Sequence, residues 1–192
     1  MRGPENTEIL SPDLRKMRIR REETVKNLLL PWTEGECPTP GAADEWFMDA
    51  SLALARQAAE EGEVPVGCVI VREGRILAGD YNGRETFKNA LRHAETSAIE
   101  KACSLLGGWR LPGCVLYVTL EPCPMCAGAI WNARIPRAVI GAKDPKAGAM
   151  GSLLNLASYP LNHRVETVFG VREKECRAVL REFFEARRKG GS

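Results

Sequence analysis

Two short segments contain residues of the types that can bind a metal and transfer protons. The first is Arg92-His93-Ala94-Glu95, and the second, about thirty positions later, is Pro122-Cys123-Pro124-Met125-Cys126. Together they supply an imidazole, two thiolates and a carboxylate. Zinc binds nitrogen and sulfur ligands in a tetrahedron, and a site with three protein ligands keeps its fourth position for water. We therefore expect one Zn²⁺ per subunit, bound by His93, Cys123 and Cys126.

Glu95 follows His93 by two positions, so we expect it beside the same metal without binding it. Zinc lowers the pKa of bound water from 15.7 to about 7. A carboxylate at that place can take the proton of the attacking water and deliver protons to a ring nitrogen and a departing amine. His-x-Glu followed by Pro-Cys-x-x-Cys is the pattern of zinc deaminases that act on nucleobases. The segments therefore predict a hydrolytic deaminase in which Glu95 is the catalytic acid and base.

Other readings of the same residues stay open at this point. Cys-x-x-Cys also occurs in thiol oxidoreductases, and the sequence alone does not exclude a redox role for Cys123 and Cys126. A noncatalytic zinc module, such as a partner subunit of an active deaminase, is a further alternative. The carboxylate of Glu95 argues against it, because a structural site has no use for that group. His163 lacks nearby cysteines or acids at ligand spacing, so we expect a surface or hydrogen-bonding role for it.

The apolar pattern predicts an α/β domain with a mixed five-stranded sheet between helices. Residues 115–140 read as strand, helix and strand, which favours a parallel crossover. Both metal-binding segments fall where a helix begins, and in open α/β sheets such places border a crevice at the carboxyl ends of strands. In chain order we expect helix 44–61, strands 64–71 and 76–81, helix 93–106, strand 115–120, helix 124–133, strand 137–140, a short helix near 153–157, strand 165–169 and helix 173–188.

Three further expectations concern packing. Asp44 is a plausible N-cap of the first helix of the domain. In the last helix, Val179, Leu180, Phe183 and Phe184 are expected to point inward. The cysteines in apolar segments are expected in the core, namely Cys68, Cys103 and Cys114.

Composition indicates a reducing environment and gives little information about partners. The net charge of +2 is too small to identify a nucleic-acid binder. The seven cysteines are odd in number and scattered, which is a poor disulfide framework. Apolar runs stay well short of the roughly 20 residues of a membrane span. We therefore expect a cytoplasmic protein without membrane contact.

Residues 1–43 differ from the rest, and we divide the chain into an N-terminal extension, 1–43, and a deaminase domain, 44–192. The extension mixes acidic and basic residues without sustained periodicity, so we expect it to be partly helical or disordered. Its basic run at 15–21 suggests a nucleic-acid arm or a transit peptide, but the acids at 22 and 23 disfavour the latter. The apolar run at 28–32 is a candidate for docking on the domain.

Several longer segments are similar to the bacterial tRNA-specific adenosine deaminases. The similarity covers residues 44–189. The zinc motifs are shared by the whole cytidine deaminase-like superfamily and indicate the chemistry but not the substrate, whereas 141–148 and 151–156 are more specific. The matching segments are Val64-Pro65-Val66-Gly67, His93-Ala94-Glu95, 116–129, 141–148, 151–156 and Asn162-His163-Arg164-Val165-Glu166.

This resemblance implies a three-layer α/β/α sandwich, a homodimer, and conversion of the wobble adenosine of an arginine tRNA to inosine. By position, Asn82 matches the asparagine that contacts the purine nucleoside in that family. The loop with Asp144 and Lys146, and the basic tail with Arg187 and Arg188, match regions that lie against the anticodon stem-loop. Cations suit such a substrate because they pair with phosphates.

Two departures and one alternative accompany the resemblance. Thr96-Ser97 replaces the more usual apolar residues after Glu95. The family begins near Asp44, so the N-terminal extension lies outside the similarity. The alternative function is deamination of a small nucleobase or nucleoside, such as guanine or cytosine, on the same scaffold.

Overall fold

The computed structural model describes residues 12–33, 35, 39 and 42–190, and this part of the chain contains one five-stranded sheet. The strands are β1 Gly67–Arg72, β2 Arg75–Tyr81, β3 Cys114–Leu120, β4 Arg137–Ala142 and β5 Glu166–Phe169. Their order is β2-β1-β3-β4-β5. β1 is antiparallel to β2 and β3, whereas β3, β4 and β5 are mutually parallel. The predicted mixed sheet and the parallel crossover through residues 115–140 are confirmed.

Helices cover both faces of this sheet. They are α1 Pro12–Thr33, α2 Ala43–Glu60, α3 Arg84–Phe87, α4 Ala94–Leu106, α5 Pro124–Asn132 and α6 Glu173–Gly190, with a short 3₁₀ helix at Leu156–Ser158. Among the residues described, none of the helices has the length and apolar character that a membrane crossing requires.

The alternation of side chains along the strands explains the three layers. In β1, Cys68 and Ile70 point into a core shared with α4 and α5. The intervening Val69 and Val71 point into a second core, shared with α1, α2 and α6. Successive side chains of a strand face opposite ways, so a continuous apolar strand is buried on both sides. The three-layer α/β/α sandwich is confirmed.

Four chain segments meet at one edge of this sheet. The pairing of Gly67 with Tyr81 brings the start of β1 beside the end of β2. The pairing of Leu120 with Ala142 brings the ends of β3 and β4 together. Because β1 is antiparallel to β3, all of these ends lie on the same side. The residues just outside this edge are therefore placed to form a crevice.

Asp44 is not the N-cap of α2. Ala42 occupies that position, and Asp44 lies in the first helical turn. Its carboxylate accepts two hydrogen bonds from the Arg137 guanidinium, at 2.9 and 2.7 Å, and one from the Tyr117 hydroxyl at 2.9 Å. The Arg137 hydrogen bond lowers the pKa of Asp44 below its usual value. Asp44 is therefore bound by Arg137 of β4, which is distant in sequence, and does not cap the helix as its local sequence favours.

The inward face of α6 is narrower than predicted. Cys176 is buried, and Val179 and Phe183 are half-buried, but Phe184 is 45% exposed, so its inward placement was wrong. Of the cysteines predicted in the core, Cys68 and Cys114 are fully buried and Cys103 is half-buried.

Helix α1 packs on the second core. Val25 and Leu29 are each 5% exposed, and the Trp32 ring lies edge-on to Trp46 with a centroid distance of 6.4 Å. The candidate docking run at 28–32 therefore contacts the domain. Residues 1–11 lie outside the described part of the chain, and the division at residue 43 remains a prediction.

Candidate active site

Helix starts place the three metal-ligand candidates. His93 is the N-cap of α4, and Cys123 is the N-cap of α5, each with extended backbone dihedrals. Pro124 is the first residue of α5, a position where its missing N–H costs nothing. Cys126 follows one turn later on the face of Cys123, because residues three apart on a helix are neighbours. The starts of α4 and α5 thus direct all three side chains to one point.

The spacing of the ligand atoms fits zinc. His93 Nδ1 lies 3.7 Å from Cys123 Sγ and 3.5 Å from Cys126 Sγ. All three ligand atoms lie within 4.8 Å of one another. Zn–N and Zn–S bonds of about 2.0 and 2.3 Å at tetrahedral angles place nitrogen and sulfur about 3.5 Å apart. The residues present therefore suit a tetrahedral zinc ion with an open fourth position.

His93, Cys123 and Cys126 are linked by shared protons, and a metal cation could take the place of those protons. A hydrogen bond from the Cys126 thiol, together with one from His93, lowers the pKa of Cys123 to about 3. The thiolate of Cys123 in turn raises the pKa of Cys126 and of His93. A zinc ion bound by His93, Cys123 and Cys126 would replace these shared protons, because metal ligands must be deprotonated.

Glu95 lies in the first turn of α4 and is only 4% exposed. Burial raises the pKa of its carboxyl group, although the nearby His93 acts in the opposite direction. A raised pKa makes a carboxyl group easier to protonate, which suits a group that must both accept and release a proton. It is a wall residue of the same cavity as His93 and Cys123.

A cavity of about 200 Å³ opens at the sheet edge where the four segments meet. Val64 and Val66 form an apolar part of its wall, Asn82 and Glu95 supply polar groups, and Arg84 adds a cation. Pockets that enclose drug-sized ligands measure about 300–1,000 Å³. The smaller volume suits one planar, fused or single ring system, with the rest of a larger substrate remaining outside.

Asn82, a predicted substrate-binding residue, follows the end of β2 and is a wall residue of this cavity. Its Nδ2 donates to Glu63 Oε2 at 3.1 Å, and its backbone N–H donates to the Val66 carbonyl at 2.9 Å. Glu63 Oε1 also accepts the Thr86 backbone N–H at 2.7 Å. Sequence reasoning missed Glu63, because no local pattern connects it with Asn82.

Glu121 was also missed, although it lies immediately before Pro122 at the end of β3. It is 2% exposed and accepts backbone N–H groups of Asp144, Met150 and Ser152 at 3.1, 3.0 and 2.9 Å, as well as the Ser152 hydroxyl. Gly148 passes so close that an added Cβ would lie 2.4 Å from the Glu121 carboxyl carbon. One carboxylate thus fixes both ends of loop 143–152 against the metal-binding segment.

Replacement of Glu121 by glutamine is expected to destabilise the protein by about 1–3 kcal/mol, because an amide donor leaves a buried N–H without an acceptor. Burial acts to raise the pKa of Glu121, but these hydrogen bonds lower it overall. A lowered native pKa gives stability that is present at neutral pH and lost as the pH falls through it. Urea unfolding should therefore show a difference between wild type and Glu121→Gln that shrinks in acid. The exposed Glu175→Gln is the matched control, and an equal loss in both variants would contradict this role.

The other predicted substrate-binding residues divide into two places. Asp144 is a wall residue of the cavity, and its Oδ1 accepts the backbone N–H of Lys146 at 2.9 Å. Lys146 lies outside, where it lines a second depression of about 360 Å³ with Phe184, Arg187 and Arg188. The structure therefore brings Lys146 together with the basic tail, and the loop at 144–146 connects this surface to the cavity.

His163 has the hydrogen-bonding role expected for it. Its Nε2 lies 2.9 Å from the carbonyl oxygen of Ile135, and its own carbonyl accepts the Trp131 indole N–H at 3.2 Å.

Comparisons with known proteins agree with this geometry. A family model described as the cytidine and deoxycytidylate deaminase zinc-binding region matches residues 42–142. The chain is 49% identical over 147 residues to the tRNA-specific adenosine deaminase of Bacillus subtilis strain 168, across 76% of this chain and 91% of that protein.

Two solved structures show the same fold at different distances. One comes from studies of A-to-I editing by tRNA:A34 deaminases at the wobble position of transfer RNA. It has a TM-score of 0.68 and 45% identity, and the alignment covers 70% of this chain and 98% of that one. Guanine deaminase from Bacillus subtilis is more distant, with a TM-score of 0.50 and 32% identity across 62% of this chain and 86% of that one. This chain belongs to the cytidine and deoxycytidylate deaminase family, and within it to the tRNA-specific adenosine deaminases.

Proposed function

We propose that this protein is a zinc-dependent hydrolase that deaminates adenosine to inosine at the wobble position of tRNA. The observation that supports it most directly is the cavity in which Glu95 lies beside His93 and Cys123, in a chain of this family. The overall reaction consumes water and releases ammonia, so C6 of adenine exchanges its amino group for oxygen.

In this proposal each residue of the site has one task. His93, Cys123 and Cys126 bind the metal, which supplies Lewis-acid activation of water when present. Glu95 takes a proton from the attacking water and delivers protons to the ring nitrogen and the departing amine. Burial of Glu95 raises its pKa, which suits a group that must alternate between base and acid. Asn82 binds the nucleoside, and its hydrogen bond to Glu63 fixes the direction of the amide.

We propose that Lys146, Arg187 and Arg188 contact phosphates of the anticodon stem-loop, with Asp144 shaping the loop between them and the cavity. These cations share one depression, and the Arg187 guanidinium lies 5.2 Å from the centre of the Phe183 ring. A polynucleotide substrate needs such a basic surface beside the pocket for the extruded base.

Replacement of Lys146, Arg187 and Arg188 together by alanine is expected to weaken binding of the stem-loop. Each lost phosphate contact should reduce the salt slope of the affinity by about 1. Fluorescence anisotropy over a range of salt concentrations measures that slope. Replacement of Lys174, Arg177 and Arg181 by alanine, all exposed on α6, is the control that loses the same three charges. An unchanged slope in the triple variant would remove these residues from the interface.

The alternative substrate, a free base such as guanine or cytosine, can be distinguished directly. The protein is incubated with an anticodon stem-loop that has adenosine at the wobble position, and separately with free bases. We expect inosine in the RNA, detected by mass spectrometry. Ammonia released exclusively from a free base would overturn the proposal. Sequencing for inosine in tRNA from cells depleted of the protein then tests the function in vivo.

We further propose an arginine tRNA as the substrate, a homodimer as the active form and the cytoplasm as its location. The resemblance to the family supports the first two. Leu153, Leu154 and Tyr159 are each more than half exposed and offer an apolar surface to a second copy. Light scattering tests the dimer, and the identity of the inosine-containing tRNA tests the first proposal. The described cysteines, which are free thiols, suit a reducing location.

A further inference from the structure

Helix α1 inserts an arginine into the domain at the end of β2. The family match begins at residue 42, so α1 lies outside it. The side chain of Arg21 is only 7% exposed, and its main acidic partner, Asp80, is 2% exposed. A buried cation requires specific partners, because removing a charge from water is costly.

Those partners lie on the three residues that lead to the substrate cavity. Arg21 Nε donates to Asp80 Oδ1 at 3.0 Å. Its Nη2 donates to the backbone carbonyls of Tyr81 and, at 3.0 Å, of Asn82. The guanidinium carbon also lies 3.6 Å from the centre of the Tyr81 ring. The planar guanidinium group thus contacts a carboxylate, two carbonyls and an aromatic face at once. The ammonium group of a lysine cannot reproduce this set of contacts.

The same short segment is fixed from its other side by the domain itself. Tyr81 donates from its hydroxyl to Glu61 Oε1 at 2.6 Å, and Arg21 Nη1 lies 3.6 Å from Glu61 Oε2. Asn82 donates to Glu63, as described above. Arg21 therefore supplies the contacts to this segment from the α1 side. Without Arg21, the Asn82 backbone would be held only by contacts within the deaminase domain.

The apolar face of α1 holds Arg21 in place. Leu29, two turns along the helix, packs so closely on β2 that a Cβ at Gly79 would lie 2.9 Å from its Cδ1. Val25 is buried between them. Val25 and Leu29 thus anchor α1 on β2 and on the second core, one and two turns along the helix from Arg21.

We propose that Arg21 is a positioning residue for substrate binding: through its bonds to Asp80, Tyr81 and Asn82, helix α1 sets the orientation of Asn82 in the cavity. The proposal rests on the substrate-binding role of Asn82 proposed above. In this proposal the N-terminal helix, which lies outside the family match, helps to shape the active site.

The test is a double-mutant cycle in the full-length chain. Arg21→Lys keeps the charge and the aliphatic stem but loses the planar guanidinium group, and Arg18→Lys is the matched control, since Arg18 pairs with the exposed Glu22 of its own helix. We expect Arg21→Lys to raise KM for the stem-loop about tenfold, the effect of one charge-assisted hydrogen bond, with zinc content unchanged and a smaller change in kcat. In an Asn82→Ala background, Arg21→Lys should have less than about a twofold effect, because interacting sites are not additive.

Amide hydrogen exchange gives a readout independent of activity. Arg21→Lys should accelerate exchange of the amides at 81–87 while leaving those of α4 and α5 as in wild type. Equal tenfold effects in both backgrounds, or unchanged KM and unchanged exchange, would overturn the proposal. If the wild type fails to deaminate tRNA, the proposed function fails, and the role of Arg21 in substrate binding fails with it. An accelerated exchange at 81–87 would then support only a structural contact between Arg21 and the segment 80–82.

Discussion

Glu95→Gln is expected to bind zinc at wild-type stoichiometry and to have a kcat lowered by about 10²–10⁴, the usual contribution of a positioned acid–base group. Glutamine has nearly the same shape but cannot take the proton of the attacking water. Glu95 is 4% exposed and lies outside the group of His93, Cys123 and Cys126 that could hold a metal ion, so its replacement should leave those three residues intact. Single-turnover measurement on the stem-loop reports the chemical step, and metal analysis reports the zinc.

Glu100→Gln provides the control, because Glu100 lies on the same helix with an exposed side chain paired to Arg92 at 3.2 Å. We expect this variant to retain wild-type kcat and zinc. Full turnover in Glu95→Gln would assign proton transfer to another group, and loss of zinc from it would place Glu95 among the ligands.

Cys126→Ser is expected to lose zinc and, with it, turnover. Groups that merely orient zinc ligands change metal affinity by 10–100-fold, so removal of a ligand should exceed about 100-fold. Zinc held at 100 times its Kd stabilises the native protein by about 2.7 kcal/mol. A chelator should therefore lower the Tm of the wild type and leave that of Cys126→Ser unchanged.

Cys103→Ser is the matched control for this loss. Cys103 is half-buried on α4, and its Sγ lies 3.5 Å from the Trp109 carbonyl oxygen, away from the ligand group. It should keep zinc and respond to the chelator as the wild type does. Stoichiometric zinc and full activity in Cys126→Ser would exclude Cys126 from the coordination sphere.

The sequence predicts those parts of the site that are encoded locally. His93 and the pair Cys123 and Cys126 were identifiable because each lies at a helix start with fixed spacing, and the structure brings their ligand atoms together. The strands were identifiable because a strand buried on both faces leaves a continuous apolar run, as in β1.

The remaining features depend on contacts between residues that are distant in sequence. Asp44 looks like a helix cap until Arg137 is folded against it. Glu121 looks like a strand terminus, and only the return of loop 143–152 shows what its carboxylate binds. Arg21 is one of several arginines in a basic run, and its neighbours in sequence do not distinguish it from those that remain exposed. Local sequence preferences do not predict these long-range contacts.

The small volume of the cavity has a consequence for which adenosines can react. A space of about 200 Å³ admits the ring only after it has left its neighbours in the RNA. Unstacking and unpairing cost a few kcal/mol and are cheapest in a single-stranded loop. The flexibility of the RNA therefore limits which adenosines can enter the cavity, independently of any contact with the protein. An adenosine in a stable helix reacts poorly because its base pair must first be broken.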